Sequence, residues 1–157
     1  MNDLTIKETI LVVDDTDSVL KVVVAILKRA DFNVLQASTA ASAIDLAQNH
    51  VGIIHLLLSD VQMPGMTGPD LGKTIKKTRP NVHVMLMSGF PGGNLLVLNY
   101  GWSFIEKPFV PAKLVEMVND VLHTPNKAQD ANQYDIRKDA DPEKKVEAGQ
   151  VPTPAAK

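Results

Sequence analysis

Short apolar runs alternate with stretches of helical periodicity along residues 8–124 of this chain. The apolar runs consist largely of leucine, methionine and β-branched residues, which is typical of strands buried on both faces of a sheet. They predict five strands, at residues 9–13, 33–36, 55–59, 82–87 and 102–106. Apolar residues at helical spacing between these runs predict five helices, at residues 17–29, 39–48, 69–77, 94–98 and 111–123.

This alternation of strands and helices predicts an α/β fold. Strands that alternate with helices pair in parallel, and right-handed crossovers then place helices on both faces of the sheet. We therefore expect a doubly wound parallel sheet of five strands with (βα)5 connectivity. In sheets of this kind the ligand site lies at the carboxyl ends of the strands.

For the first predicted helix, the sequence also indicates the N-terminal residue and the side that faces the core. Asp17 precedes its apolar pattern, and we expect this residue to be the N-cap. The apolar residues that recur at helical spacing are Val19, Val22, Val23, Ile26 and Leu27. We expect these side chains to face the core.

Composition and charge narrow the class of protein. Hydrophobic residues make up 45% of the chain and charged residues 22%, and no apolar run reaches the roughly 18 residues of a membrane-spanning helix, so we expect a soluble protein without membrane insertion. Residues 1–10 lack the apolar core of a signal peptide and the chain contains no cysteine, which favours the cytoplasm. The net charge of −2 indicates no general attraction to nucleic acid.

Residues 125–157 differ in composition from the rest of the chain. They combine mixed charges and prolines with isolated apolar residues, which are too few to bury a core. We therefore expect residues 1–124 to form a single domain and residues 125–157 to form a polar, disordered tail.

Polar residues follow four of the predicted strands. Asp14 and Asp15 come after the first strand, Asp60 after the third, Ser88 after the fourth and Lys107 after the fifth. Three carboxylates at one edge repel one another and require a cation, and a set of oxygen ligands without His or Cys selects a hard ion such as Mg²⁺. The Lys107 ammonium and the Ser88 hydroxyl add donors suited to phosphoryl oxygens. The pattern predicts a magnesium-assisted phosphoryl site.

Four segments carry a resemblance to a known family: ILVVDD at 10–15, LLLSDVQMPGMTG at 56–68, VMLMSG at 84–89 and FIEKPF at 104–109. Together they resemble the successive signatures of the response-regulator receiver domains of two-component signalling systems, across about residues 8–123. The resemblance implies the flavodoxin-like receiver fold. It also implies a stand-alone receiver similar to the chemotaxis receivers, which catalyses only its own phosphorylation and dephosphorylation.

The resemblance implies specific roles for the acidic residues. Asp60 resembles the phospho-acceptor of the family, which is also a ligand of Mg²⁺. Asp15 resembles the residue that binds the metal directly, and Asp14 the residue that acts largely through water. The backbone carbonyl of Gln62 resembles the third protein ligand.

The resemblance also implies how the phosphoryl group is sensed. Lys107 resembles the lysine that contacts the phosphoryl oxygens, and Ser88 the switch hydroxyl that moves towards them. Phe104 resembles the aromatic residue that follows this hydroxyl inward, and the bond before Pro108 is expected to be cis.

The partners implied by the family are a sensor histidine kinase or a histidine phosphotransfer protein as phosphoryl donor, and a downstream protein target. A terminal regulator and a shuttle within a phosphorelay are both open at this point. A phosphorylation-independent scaffold and a phosphohydrolase of the haloacid dehalogenase type are alternatives. The phosphohydrolase would need a second aspartate two residues after the nucleophile, where this chain has Gln62, and an amide does not act as a general acid or base.

Overall fold

The computed structural model describes residues 5–89 and 100–124, which contain five strands and four helices. The strands are β1 (Thr9–Val13), β2 (Asn33–Ala37), β3 (Leu56–Asp60), β4 (His83–Ser88) and β5 (Ser103–Glu106). The helices are α1 (Asp17–Arg29), α2 (Ala40–Asn49), α3 (Gly68–Thr78) and α4 (Pro111–His123). The helix predicted at residues 94–98 and the tail predicted at residues 125–157 lie outside the described residues.

The five strands form a single parallel sheet in the order β2-β1-β3-β4-β5. This is the predicted doubly wound, flavodoxin-like receiver architecture. All residues of β1 are buried, because this strand has a neighbour on either side and helices on both faces. The edge strand β2 is more exposed, and Asn33 and Gln36 face solvent.

Two apolar cores lie on the two faces of the sheet. On one face, side chains of α2 and α3 pack against alternate strand residues such as Leu11 and Leu57. On the other face, side chains of α1 and α4 pack against the intervening residues, such as Ile10 and Leu56. Successive side chains of a strand point to opposite faces of the sheet, so residues of the two cores alternate along each strand. The polar residues lie at the ends of the strands, along one edge of the sheet.

The prediction of α1 was wrong in two details. Thr16, in extended conformation, is the N-cap residue, and Asp17 is the first residue of the helix. The carboxylate of Asp14 accepts the backbone N–H of Thr16 at 2.8 Å, so a residue before the helix binds this N–H. Val22 was expected in the core but is 57% exposed, and the buried residues of the helix are Leu20, Val23, Val24 and Leu27.

The other predicted boundaries agree with the structure or differ from it by a single residue at either end. Thr39 and Thr67 are the N-cap residues of α2 and α3, and the side chain of each accepts a backbone N–H from the first turn. No helix among residues 5–89 and 100–124 is long and apolar enough to cross a membrane.

Arg79 holds the end of α2 against the segment that follows α3. Its guanidinium donates hydrogen bonds to the backbone carbonyls of Ala47 at 2.9 Å, His50 at 2.8 Å and Gly52 at 2.7 Å. Carbonyls at the end of a helix lack partners within the helix, and the planar fork of arginine can reach several of them at once. Arg79 thus links the end of α2 to the end of α3, at the opposite edge of the sheet from the predicted site.

Candidate functional site

Three aspartates meet at the carboxyl edge of the sheet. Asp60 is the last residue of β3, and Asp14 and Asp15 follow the neighbouring strand β1. Each offers one carboxylate oxygen to a group of three that lie within 4.8 Å of one another. Asp14 is fully buried, the side chain of Asp60 is 13% exposed, and Asp15 is exposed to solvent. The cluster is therefore buried on the side of Asp14 and open to solvent on the side of Asp15.

Lys107, directly after β5, places its ammonium group between two of these carboxylates. Its Nζ lies 2.8 Å from Oδ2 of Asp14 and 3.4 Å from Oδ1 of Asp60. A single ammonium does not balance three carboxylates, so the cluster keeps an excess of negative charge. Such an excess at low dielectric favours binding of a cation.

The ionisation of Asp60 reflects this environment. Burial raises the pKa of the Asp60 carboxyl above its ordinary value, and the ammonium of Lys107 opposes the shift. The negative charges of Asp14 and Asp15 add to the rise in pKa. The backbone N–H of Val61 donates to Oδ1 of Asp60 at 3.0 Å and fixes its orientation. A bound cation would counteract the rise, because it favours the charged form.

Gly68, the first residue of α3, lies directly against the backbone of Asp60. A Cβ atom on this glycine would lie 2.2 Å from the carbonyl oxygen of Asp60, far inside van der Waals contact. Its N–H donates to the carbonyl of Val61 at 2.8 Å. Gly68 thus lets α3 pack against the end of β3. From the sequence, Gly68 was only one of several glycines in a loop. Its contact with Asp60 could not be predicted, because the contact forms only when α3 packs on β3.

Ser88 and Lys107 lie at the ends of two paired strands. The backbone N–H of Lys107 donates to the carbonyl of Ser88 at 2.8 Å, which ties the two strand ends together. Ser88 is 2% exposed. Phe104 lies on β5 opposite Leu86 and packs, partly buried, against the core on the side of α2 and α3. The Lys107–Pro108 peptide bond is cis, which is the isomer that the resemblance implies.

Gln62 lies in the loop after Asp60, two residues along the chain, and is exposed. The role of its backbone carbonyl as a metal ligand stays a prediction. The structure thus brings Asp14, Asp15, Asp60 and Lys107 into one group, and places Ser88 at the adjoining strand end.

The donor set of this cluster fits Mg²⁺. All three acidic side chains offer oxygen atoms, and the group contains neither His nor Cys. Mg²⁺ is usually bound by one or two carboxylates together with waters and phosphate oxygens, so an acidic group with one exposed member suits it.

Comparisons with known proteins place this site in context. The family described as response regulator receiver domain matches residues 10–119. The sensor kinase CckA of Brucella abortus (strain 2308) is 29% identical over 123 residues, which cover 76% of this chain and 13% of the kinase. The chain spans 13 to 27% of the length of the first three curated relatives that it matches.

Solved structures give the same result. A CheY-like receiver domain protein from Methanospirillum hungatei JF-1 is 28% identical with a TM-score of 0.67, over 74% of this chain and 94% of that chain. The receiver domain of the hybrid histidine kinase CckA is 34% identical with a TM-score of 0.63, over 73% of this chain and 99% of that chain.

Proposed function

The chain belongs to the response-regulator receiver domain family, and on this premise we propose that Asp60 accepts a phosphoryl group from a phosphohistidine. Members of this family are signalling domains rather than enzymes that act on a separate substrate. The observation that carries the proposal is the convergence of Asp60, Lys107 and the acidic pair at one edge of the sheet. The match to the receiver family favours this role over the phosphohydrolase alternative.

Mg²⁺ is the proposed cofactor. Asp14, Asp15, Asp60 and the backbone carbonyl of Gln62 would hold it, with Asp15 as a direct ligand and Asp14 acting largely through water. When bound, the metal neutralises charge on the transferring phosphoryl group. The raised pKa of Asp60 supports this assignment, because a bound cation favours the charged form of the carboxyl and so offsets the effects of burial and of the neighbouring carboxylates.

The transfer itself forms one bond and breaks another. A carboxylate oxygen of Asp60 bonds to phosphorus while the P–N bond to the donor imidazole breaks, and the imidazole nitrogen leaves with the bonding electrons and takes up a proton. The product on Asp60 is an acyl phosphate. Phosphoryl transfer depends mainly on positioning and charge stabilisation, and Lys107, which lies 3.4 Å from Asp60, supplies a positive charge for the phosphoryl oxygens.

The added phosphoryl charge of about −1.5 to −2 is the proposed signal. It gives the Ser88 hydroxyl and the Lys107 ammonium a new partner. Movement of Ser88 towards it leaves space into which Phe104 turns from its partly buried position on β5. A local electrostatic event is thereby converted into a change of packing between two states.

The proposed donor is a sensor histidine kinase or a histidine phosphotransfer protein in the cytoplasm. The phosphorylated domain then binds a downstream protein or passes the phosphoryl group to another histidine, as terminal regulator or relay shuttle. The net charge of −2 favours protein partners over nucleic acid. The proposed receiver domain comprises residues 1–124, with residues 125–157 as its tail.

Incubation with a small-molecule phosphodonor, followed by intact-mass measurement, tests the proposal. The protein should gain one phosphate in the presence of Mg²⁺ and none after chelation. Asp60→Asn should gain none, whereas the matched control Asp17→Asn, at a side chain that is 77% exposed, should behave as the unmodified protein. Equal phosphorylation of Asp60→Asn would refute Asp60 as acceptor. Absence of phosphorylation in every sample would favour the scaffold alternative.

A further inference from the structure

A groove of about 740 Å³ runs between α1 and α4, on the outer surface of their layer. Its walls are largely apolar and consist of Val22, Ala25 and Ile26 from α1 and Pro111, Ala112 and Val115 from α4. Val22 is 57% exposed, and Pro111 and Ala112 also face solvent. Apolar side chains this open to water in a groove mark a surface that gains free energy when it is covered.

Two opposite charges flank this apolar groove. Arg29, the last residue of α1, lines one wall, and Glu116, in the middle of α4, lines the other. Both side chains are exposed. Within residues 5–89 and 100–124 neither forms an ion pair, although Lys7, Lys21, Lys107 and His123 do. The groove therefore presents one unpaired positive and one unpaired negative side chain, on opposite sides.

This arrangement is complementary to itself. In a two-fold symmetric contact each copy presents the same patch, and when the axis is parallel to the groove, each wall meets the opposite wall of the other copy. A rotation about an axis along the groove brings α1 of one copy over α4 of the other. Since Arg29 and Glu116 line opposite walls of the groove, this arrangement would place Arg29 of each copy on the side of Glu116 of the other, with the apolar walls covering each other.

We propose that the groove between α1 and α4 is a self-association surface, whose occupant is a second copy of this chain. The contact uses none of the residues of the acidic cluster, so it does not depend on the phosphoryl-accepting role. The two charge pairs fix the orientation of the copies, and the apolar walls supply the favourable free energy. The competing possibility is that the chain stays monomeric and the groove binds a helix of a different protein.

Sedimentation velocity over a roughly hundredfold range of protein concentration measures this association. The unmodified chain should shift from monomer to dimer as the concentration rises. Arg29→Glu alone and Glu116→Arg alone should each raise the dissociation constant by about tenfold or more, because each creates two like-charge contacts. An equimolar mixture of the two variants should restore the dimer, since the heterodimer contains only opposite-charge contacts.

Matched controls use neighbouring charges that do not line the groove. Lys28→Glu, in the same last turn of α1, and Asp120→Arg, one turn further along α4, should leave the dissociation constant within about twofold of the unmodified value. Ala112→Arg, at an exposed position of the apolar wall, should abolish the dimer. Circular dichroism and gain of phosphate from the small-molecule donor confirm that each variant is folded.

Three results would overturn the proposal. They are a monomer at every concentration, a dimer that Ala112→Arg and the two charge reversals leave intact, and failure of the mixed variants to associate. The competing possibility of a different partner predicts the first of these outcomes. All three are independent of phosphorylation, which is scored separately by intact mass.

Discussion

Replacing Asp60 by asparagine should make the metal-free protein more stable while abolishing its proposed function. The side chain keeps its size and loses its negative charge at a site where that charge is unfavourable. Burial and the neighbouring carboxylates raise the pKa of Asp60, which means that its ionised form is disfavoured in the folded state.

The magnitude follows from the geometry of the cluster. The carboxylate oxygens lie within 4.8 Å of one another, and two charges at that limiting distance repel by roughly 3.5 kcal/mol at an effective dielectric constant of about 20. Asp60 has two such neighbours, and its attraction to the Lys107 ammonium at 3.4 Å offsets roughly 5 kcal/mol of their repulsion. Solvent screens the contribution of the exposed Asp15. These Coulomb contributions nearly cancel, and burial, the largest cause of the raised pKa, decides the sign. The net gain in the free energy of unfolding of Asp60→Asn should be about 1–2 kcal/mol.

Urea denaturation at neutral pH, with a chelator and with Mg²⁺, measures this difference. The order of stability should reverse with metal, because a ligand at about 100 times its dissociation constant adds about 2.7 kcal/mol to the unmodified protein and less to the variant. Asp17→Asn removes the same charge from an exposed position and should show neither effect. If Asp60→Asn is the less stable protein in chelator, or if Mg²⁺ stabilises both equally, the acidic cluster is not a repulsive anion group and the reasoning fails.

Three further perturbations test other parts of the structure. Arg79→Ala should lower the free energy of unfolding by about 2–3 kcal/mol in urea titrations, and Arg79→Lys should recover little, because an ammonium cannot reach three carbonyls as the guanidinium does. Gly68→Ala should lower the free energy of unfolding by about 1–3 kcal/mol in the same assay and slow phosphorylation measured by intact mass, because its methyl group displaces the backbone of Asp60. The control Gly65→Ala has open space around the added methyl group but a φ of 84°. It should lower the free energy of unfolding by about 1 kcal/mol and leave the phosphorylation rate unchanged. In the metal-free protein the folded state holds the Asp60 proton more tightly than the unfolded chain does, because the pKa of Asp60 is raised. The free energy of unfolding should therefore fall as the pH rises from the ordinary aspartate range through the raised pKa. Denaturation of Asp60→Asn over the same pH range should lack this contribution to the pH dependence.

The sheet and the polar strand ends could be predicted because both depend on local patterns. A short apolar run followed by an aspartate indicates a buried strand and its end in the same few residues, as in β1 with Asp14 and β3 with Asp60. Parallel pairing then places those ends at one edge without further information. The cis bond before Pro108 agrees with what the resemblance implies.

The details of α1 could not be predicted as securely. Three consecutive valines, residues 22–24, leave the phase of the helix undetermined, and the structure buries Val23 and Val24 while Val22 faces solvent. Asp17 resembled an N-cap by type, but the carboxylate of Asp14 binds the N–H of Thr16, which depends on how β1 leads into the helix.

Contacts between residues distant along the chain carry no local signal. Arg79 binds carbonyls 27 to 32 residues earlier, and nothing in its neighbourhood marks it as a clamp. The contact of Gly68 with the Asp60 carbonyl likewise appears only once α3 has packed on β3. The rise in the pKa of Asp60 depends on burial and on charges that arrive from other strand ends.

Locating the phosphoryl group on the chain tests the central claim most directly. Borohydride reduces an aspartyl phosphate to homoserine, so phosphorylated protein can be reduced, digested and examined by peptide mass spectrometry. Homoserine should appear at position 60 alone, only when phosphodonor and Mg²⁺ are both present. Homoserine at another aspartate, or unmodified Asp60 in protein whose intact mass shows one added phosphate, would contradict the assignment of Asp60 as the acceptor.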